Sequence, residues 1–172
     1  MSLLLLGNIL GLIGSAVMVF LGFIKKPRTF VLVQSVQAAI MTAANFVLGG
    51  ISGVVINVLS LIRNLICYKW KLSVPLKLVF IALQILIPAF MGGGGLVFWL
   101  PVLAGCSLTW FLDTENALLL KIVVEIGQVL WGVYDLSISN YTTFVFDVIA
   151  VISNAYSLFV ITRNKTKGEK EE

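Results

Sequence analysis

Long apolar stretches alternate with short polar or glycine-rich breaks along the whole chain. The stretches are close to the roughly 20 residues that an α-helix needs to cross the hydrocarbon core of a bilayer. The breaks contain glycine, proline or charged residues, which are typical of the loops between spans. The pattern predicts seven membrane-spanning helices, with expected bounds of about 3–24, 29–48, 51–68, 74–91, 95–112, 117–134 and 141–161.

The composition supports the same interpretation. Of 172 residues, 59% are hydrophobic and 12% are charged, whereas an average soluble domain has about 25% charged residues. The mean hydropathy is +1.05. The sequence therefore predicts an integral membrane protein with no room for a separate soluble domain. We expect the first stretch to be a retained helix, since it lacks the basic start and the cleavage site of a signal peptide.

Metal and cofactor chemistry have little support in the composition. The chain has no histidine and two cysteines, Cys67 and Cys106, which lie inside apolar stretches without a ligand spacing. We therefore expect no metal, no cofactor and no nucleic-acid partner. The net charge of +4 comes from the short loops and the tail, where it favours contact with anionic lipid.

An internal repeat relates the two halves of the chain. A shift of ninety positions places Asn57 over Asp147, and a shift of ninety-one places Gln37 over Gln128. The repeat predicts an all-α integral membrane fold of seven transmembrane helices, with two three-helix repeats joined by a linker helix (3+1+3). The single linker helix makes the two repeats parallel. The expected divisions are 1–70, 71–94 and 95–163, followed by a cytoplasmic tail at 164–172.

Lysine and arginine lie in alternate loops and in the tail. Because cationic residues near span ends are retained on the cytoplasmic side, an outside N-terminus and a cytoplasmic C-terminus place every basic cluster on one side. The loop after the fifth span is acidic, but acidic residues contribute little to this rule. The basic residues are Lys25, Lys26, Arg28, Lys69, Lys71, Lys77, Arg163, Lys165, Lys167 and Lys170, and the acidic ones are Asp113 and Glu115.

Polar side chains form stripes on the predicted helices. Residues three or four positions apart in succession share one face of a helix. The third and sixth helices each carry such a line of small, amide or carboxylate side chains, at i, i+4, i+7 and i+11 in the third and at i, i+3, i+7 and i+10 in the sixth. If the repeats are equivalent, these lines face a shared midline. The stripes are Gly53, Asn57, Ser60 and Asn64 in the third helix, and Glu125, Gln128, Gly132 and Asp135 in the sixth.

These stripes supply the candidate binding residues. A carboxylate inside the membrane costs about 2.5–3.5 kcal/mol even on lenient insertion scales, so Asp147 is the candidate with the strongest case for a function. Arg63 is a candidate partner for a carboxylate, and Pro101 is a candidate gating hinge. The predicted substrate-binding set is Asn57, Asp147, Gln37, Gln128, Glu125, Asn154 and Trp131.

Each candidate also has a purely structural interpretation. Amides in membrane helices often only join helices, at about 0.6 kcal/mol each. The Arg63 side chain could extend to the interface instead of pairing with a carboxylate. Lys121 precedes Glu125 by one helical turn and could neutralise it, and Trp131 could pack in the core.

Four short motifs are shared with a known family, namely Gly50 to Asn64, Asn45-Phe46, Leu100-Pro101-Val102 and Thr109-Trp110. With these motifs the chain resembles the YgjV-type bacterial inner membrane protein family, over nearly its whole length. The resemblance implies an architecture similar to the MtN3-like group, which includes the SWEET sugar transporters and the PnuC vitamin transporters. In SWEETs, paired asparagines of helices 3 and 7 line the substrate site, and the resemblance assigns those positions to Asn57 and Asp147. The four prolines of the SWEET gates are absent as a set.

We expect a small secondary transporter or facilitator that moves a polar, low-molecular-weight metabolite by rocking one three-helix bundle against the other. Carboxylates favour neutral or cationic solutes, and proton coupling stays open because desolvation disfavours a charged carboxylate. The alternative is a non-transporting receptor, similar to the KDEL receptor, or a structural partner protein. An enzyme is not expected, because the sequence offers no histidine and no nucleophile–base arrangement. The oligomeric state stays open.

Overall fold

A computed structural model describes residues 2–21, 27–70, 72–92, 94–112, 114 and 116–168, and the regular elements in these ranges are all helices. Several residues used to predict the orientation, namely Lys25, Lys26, Lys71, Asp113, Glu115 and Lys170, lie outside the described residues. The helices are α1 (Leu3–Leu21), α2 (Pro27–Val47), α3 (Ile51–Lys69), α4 (Val74–Phe90), α5 (Gly95–Phe98), α6 (Leu100–Phe111), α7 (Ala117–Ser137) and α8 (Tyr141–Gly168).

These helices correspond to the seven expected spans, with two differences. The fifth span is divided at Trp99 into the short α5 and the longer α6. Pro101 is the second residue of α6, directly after this break, where its fixed φ fits the first turn of a helix; its role as a gating hinge stays a prediction. The last helix runs to Gly168 and not to Ile161, so the backbone of the predicted tail is helical over its described part.

The lengths and the surface of the helices fit a membrane. By length and composition α1 and α3 can each cross a bilayer, and the apolar parts of α2, α4 and the α5–α6 unit are somewhat shorter. Large apolar side chains are exposed along most helices, including Phe90 at 87% and Leu96 at 88%. An apolar outer surface of this extent is expected where lipid replaces water.

Packing between the helices follows a closed circuit. In the described residues α1 packs on α2, α2 on α3, α3 on α6, α6 on α7, α7 on α8, and α8 on α1. The remaining span, α4, packs outside this circuit against α3 and α6. Because α3 and α8 lie three places apart in a circuit of six helices, they are on opposite sides of it.

One end of the bundle collects the start of α1, the α2–α3 turn, α5 and the α7–α8 turn. At this end, which we call the α1 end, Asn8 Nδ2 donates to the Ser139 carbonyl at 3.0 Å, and Gly53 N donates to the Tyr134 hydroxyl at 2.9 Å. At the opposite end the side chain of Lys77, near the start of α4, donates to the Trp110 carbonyl at 3.2 Å. The helices therefore alternate in direction, as the short connections require.

The α2–α3 turn and the α7–α8 turn have the same backbone geometry, ninety residues apart. Gly50 N donates to the Asn45 carbonyl at 2.7 Å, and Asn140 N donates to the Asp135 carbonyl at 2.8 Å. The preceding residue is left-handed in both turns, with φ of 76° at Gly49 and 61° at Ser139. A left-handed conformation is usual for glycine and costs a residue with a side chain about 1–2 kcal/mol.

Candidate functional site

Two buried carboxyl groups lie together where α7 packs against α8. Asp135 and Asp147, which we call the carboxyl pair, are 1% and 3% exposed and are close enough to interact electrostatically. Asn140 Nδ2 donates to Asp135 Oδ1 at 3.1 Å, and Gln128 Nε2 donates to Asp147 Oδ1. Two neighbouring buried carboxyl groups repel each other when both are charged, so a proton or a cationic group would stabilise the pair.

The position of α8 beside this pair is fixed by α1. Asn8 Oδ1 accepts from the backbone N–H of Thr142 at 3.1 Å, in the first turn of α8, and the Thr142 hydroxyl donates to the Asn8 carbonyl at 2.7 Å. The first N–H groups of a helix have no partner within the helix itself. A side chain of α1 therefore caps α8. Within the α7–α8 turn, the Thr143 hydroxyl also donates to Asn140 Oδ1 at 3.0 Å.

The first half of the chain buries a matching pair of amides. Asn45 is fully buried, and neither polar atom of its side chain has a partner in the described structure. The Nδ2 atom of Asn57 is also buried without a partner. Asn45 and Asn57 precede Asp135 and Asp147 by ninety residues each. Since a buried polar atom without a partner costs about 1–3 kcal/mol, these atoms mark a place that a ligand or water completes.

The two halves meet near this amide pair through Tyr134. Its hydroxyl accepts from Gly53 N in the first turn of α3 at 2.9 Å. The Tyr134 ring packs edge-on against Trp131, with 5.7 Å between ring centres. Trp131 therefore packs against Tyr134, and Tyr134 in turn contacts α3 in the first half of the chain.

Arg63 lies in a second polar cluster at the opposite end of the bundle. It is 1% exposed, so the alternative in which its side chain extends to the interface is wrong. Its guanidinium donates to Asn64 Oδ1 from Nε at 3.3 Å and from Nη2 at 3.2 Å, and to the Thr109 hydroxyl from Nη1 at 2.9 Å. No carboxylate of the described residues contacts it, so the predicted ion pair is also absent from that part of the chain.

Two further amides extend the Arg63 cluster to neighbouring helices. Gln84 Nε2 of α4 donates to the Thr109 hydroxyl at 3.0 Å, and Asn64 Nδ2 donates to Gln34 Oε1 of α2 at 3.1 Å. The cluster thus ties α2, α3, α4 and α6 together. Thr109 and Gln84 were not singled out as site residues from the sequence, because a lone threonine or glutamine in an apolar stretch gives no signal of its partner.

The remaining predicted site residues are scattered. Glu125 buries Oε2 without a partner, and Gln37 is half-buried on α2. Asn154 is exposed, and it lies where all described side chains of α8 from Ile152 to Tyr156 are exposed. It therefore does not join Asp147 in a common wall. Pro101 is buried at the start of α6.

Two cavities adjoin the polar residues. A cavity of about 330 Å³ at the α1 end is lined by the α2–α3 turn, by α5 and by the last turns of α7, including Ser52 and Tyr134. A second cavity of about 180 Å³ lies in the seam between α7 and α8, with Gln128 and Asp147 in its wall. No three acidic or cysteine side chains of the described ranges come together as metal ligands.

The comparisons with known proteins give one match. A family model described as Imp-YgjV, bacterial inner membrane protein, matches residues 5–165. No curated protein and no solved structure matches the chain.

Proposed function

Because the chain belongs to the Imp-YgjV family of bacterial inner membrane proteins, we propose that it is a small secondary transporter or facilitator for a polar, low-molecular-weight metabolite. The substrate binds among the two amides Asn45 and Asn57 and the carboxyl pair. Alternating access arises from movement of the α1–α3 triplet against the α6–α8 triplet.

The observation that carries this proposal is the set of buried polar atoms without partners. Asn45, Asn57, Glu125 and Asp147 each bury at least one such atom, and all lie on helices of the packing circuit. A protein built only as a membrane scaffold would gain stability by replacing these side chains with apolar ones, since an unpaired buried group costs about 1–3 kcal/mol. Their presence is explained if a polar solute completes their hydrogen bonds.

The repeat supports the proposed mechanism. The α2–α3 and α7–α8 turns match in hydrogen bonds and in the left-handed residue. If α1, α2 and α3 correspond to α6, α7 and α8, the contact of α1 with α8 is the counterpart of the contact of α6 with α3, and both contacts are present. Two parallel triplets about an axis along the membrane normal, joined by α4, account for both features. This is the arrangement expected from the resemblance to SWEET and PnuC transporters.

The proposed orientation has the N-terminus outside and the C-terminus in the cytoplasm. The α1 end then faces outward and carries the 330 Å³ cavity, which becomes the outer entrance. The Arg63 cluster lies on the cytoplasmic side of the amides and closes the path from within. Lys69 and Lys77 are at that same end, in agreement with the charge rule.

A thermal-shift screen of the purified protein tests the proposal. The panel contains sugars, nucleosides, vitamins, amino acids and organic acids, because a ligand at 100 times its dissociation constant adds about 2.7 kcal/mol of stability. We expect one class to stabilise the wild type and the Asn154→Ala control, whose side chain is exposed on the same helix, but not Asp147→Asn. A ligand that stabilises Asp147→Asn as well as the wild type would show that the site lies elsewhere.

A further inference from the structure

The seam cavity between α7 and α8 combines an apolar wall with a carboxyl floor. Val129 and Val133 of α7 and Val148 and Ile152 of α8 line it, and these four side chains are 41–65% exposed. Since exposed apolar residues of a membrane helix face lipid, the cavity opens sideways towards the bilayer.

The floor of this cavity is Asp147 with Gln128 beside it. Oδ2 of Asp147 is buried and has no hydrogen-bond partner among the described residues. Gln128 is neutral and donates to the other oxygen, Oδ1. The free oxygen therefore requires a donor, which the cavity is placed to admit.

The charge of the carboxyl pair has no counter-charge nearby. Asp135 accepts from the amide of Asn140 and Asp147 from the amide of Gln128, and neither of these donors carries a charge. A buried charge is stable in an apolar setting only when it is paired. A cationic ligand supplies that pairing, whereas an anion adds repulsion.

The apolar wall selects an organic cation and not a bare ion. A volume of about 180 Å³ is comparable to the roughly 150 Å³ of an apolar cavity that binds benzene. A sodium ion needs several oxygen ligands, and the only side chains with polar atoms that line this cavity are Asp147 and Gln128. A ring-sized apolar body with one ammonium group matches both the walls and the floor.

We propose that the α7–α8 seam is a binding site for a small organic cation, with a primary ammonium donating to Asp147 and an apolar body of about the size of a benzene ring between the valines. The inference deepens the proposed function, on which it rests, by naming a substrate class that reaches the carboxyl pair from the bilayer side. A second copy of the chain in the seam would bury the same valines but would supply no ammonium.

Benzylamine is the probe that tests this site, with benzyl alcohol and benzoate as the neutral and anionic molecules of the same shape. Binding to the full chain in lipid nanodiscs is followed by titration calorimetry and by ligand-observed NMR. We expect benzylamine to bind, benzyl alcohol to bind about tenfold more weakly through loss of the charge-assisted bond, and benzoate not to bind. Equal binding of all three would show that the seam is an apolar cavity without a preference for cations, and it would overturn the proposal.

Two variants locate the binding. Val148→Phe fills the mouth of the cavity from a partly exposed position, so the fold is retained, and benzylamine affinity is expected to fall at least about tenfold. The matched control is Val145→Phe, since Val145 lies on the same helix, is 53% exposed and does not line the cavity. Unchanged affinity in Val148→Phe, or an equal loss in both variants, would contradict the seam site.

Asp147→Asn separates the charge from the shape of the cavity. It is expected to abolish the preference for benzylamine over benzyl alcohol while leaving the weak binding of the alcohol. Retention of the preference, or binding of sodium in place of benzylamine, would refute an organic-cation site. If benzylamine fails while a polar metabolite from the thermal-shift panel binds through Asp147, this inference falls and the proposed function stands.

Discussion

Arg63 keeps a positive charge inside the bundle with only neutral partners among the described residues. Burying a guanidinium in a membrane helix costs about 2.5–3.5 kcal/mol on the insertion scale. Each hydrogen bond from a charged donor returns about 1.5–3 kcal/mol, and Arg63 makes three, two to Asn64 and one to Thr109. The bonds outweigh the desolvation cost only because the planar guanidinium reaches both acceptors at once.

Replacing Arg63 by lysine tests this balance. An ammonium group at this position would keep the charge but lose the geometry that reaches Asn64 and Thr109 together, so we expect Arg63→Lys to lower the free energy of unfolding by about 1–3 kcal/mol. Thr109→Val removes one acceptor of the same cluster. Unfolding of both single variants and the double variant is expected to give a coupling energy of about 0.5–3 kcal/mol; additive effects would show that Arg63 and Thr109 do not interact.

Gly53 permits the close approach of α2, α3 and α7. A Cβ at this position would lie 2.7 Å from Asn45 Nδ2 and 2.8 Å from Tyr134 Cε1, and such overpacking costs about 1–3 kcal/mol. We expect Gly53→Ala to lower the thermal unfolding midpoint. Gly94→Ala is the control, because its Cβ meets nothing within 4 Å; an equal loss in both would contradict the packing described here.

Part of the site follows from residue spacing alone. Asp147 and Gln128 were expected in one site and are in contact, because two stripes of correct helical period on neighbouring helices meet. Asn154 is exposed and Arg63 donates only to neutral side chains among the described residues, and the stripes indicated neither. Their surroundings depend on where other helices end, and no spacing within one helix contains that information. The pairing of Asn45 with Asp135 was present in the ninety-residue shift, but only Asp135 belonged to a predicted stripe, so the pair was not recognised.

At the scale of elements, the two repeated turns use different residues for one backbone conformation. Gly49 adopts φ of 76° without a side chain, whereas Ser139 adopts 61° with one. We expect Ser139→Gly to be neutral or to stabilise by up to about 1 kcal/mol, and Gly49→Ser to destabilise by about 1 kcal/mol. Thermal unfolding of the two variants measures both effects, and the opposite signs would show that the turns are not equivalent.

The cap that α1 provides for α8 is a second element-scale feature. Asn8→Leu keeps the size of the side chain but makes it apolar. It removes the acceptor for Thr142 N and the donor to the Ser139 carbonyl. Loss of a cap costs about 1–2 kcal/mol, and we expect Asn8→Leu to destabilise by this amount. Amide exchange should quicken in the first turn of α8; unchanged exchange there would show that the cap contributes nothing.

Element existence was largely predictable, and element ends were less so. Seven apolar stretches gave the helices, since helix length in a bilayer is fixed by its thickness. The break at Trp99 was missed because the sequence has no glycine there, and Pro101 was interpreted as a kink although a proline also fits the first turn of a helix. The extension of α8 was missed because charge was taken as the sign of an irregular tail.

At the scale of the whole molecule, the circuit of six helices places the amide pair and the carboxyl pair in different triplets. The circuit could not be predicted from the sequence, because each helix offers several apolar faces of similar quality and long-range packing decides among them.

The proposed orientation makes the C-terminus cytoplasmic. A C-terminal fluorescent-protein fusion is expected to fluoresce, and a C-terminal alkaline phosphatase fusion is expected to be inactive. The reverse result would show that the protein has the opposite orientation in the membrane.

Solute counterflow in proteoliposomes is the measurement that tests transport most directly. Vesicles loaded with the ligand found by thermal shift are diluted into a trace of labelled ligand, and uptake is compared among wild type, Asp147→Asn and Asn154→Ala. The account predicts uptake above that of protein-free vesicles, equal in Asn154→Ala and reduced at least about tenfold in Asp147→Asn. Binding of the ligand without counterflow in the wild type would contradict transport and favour a receptor.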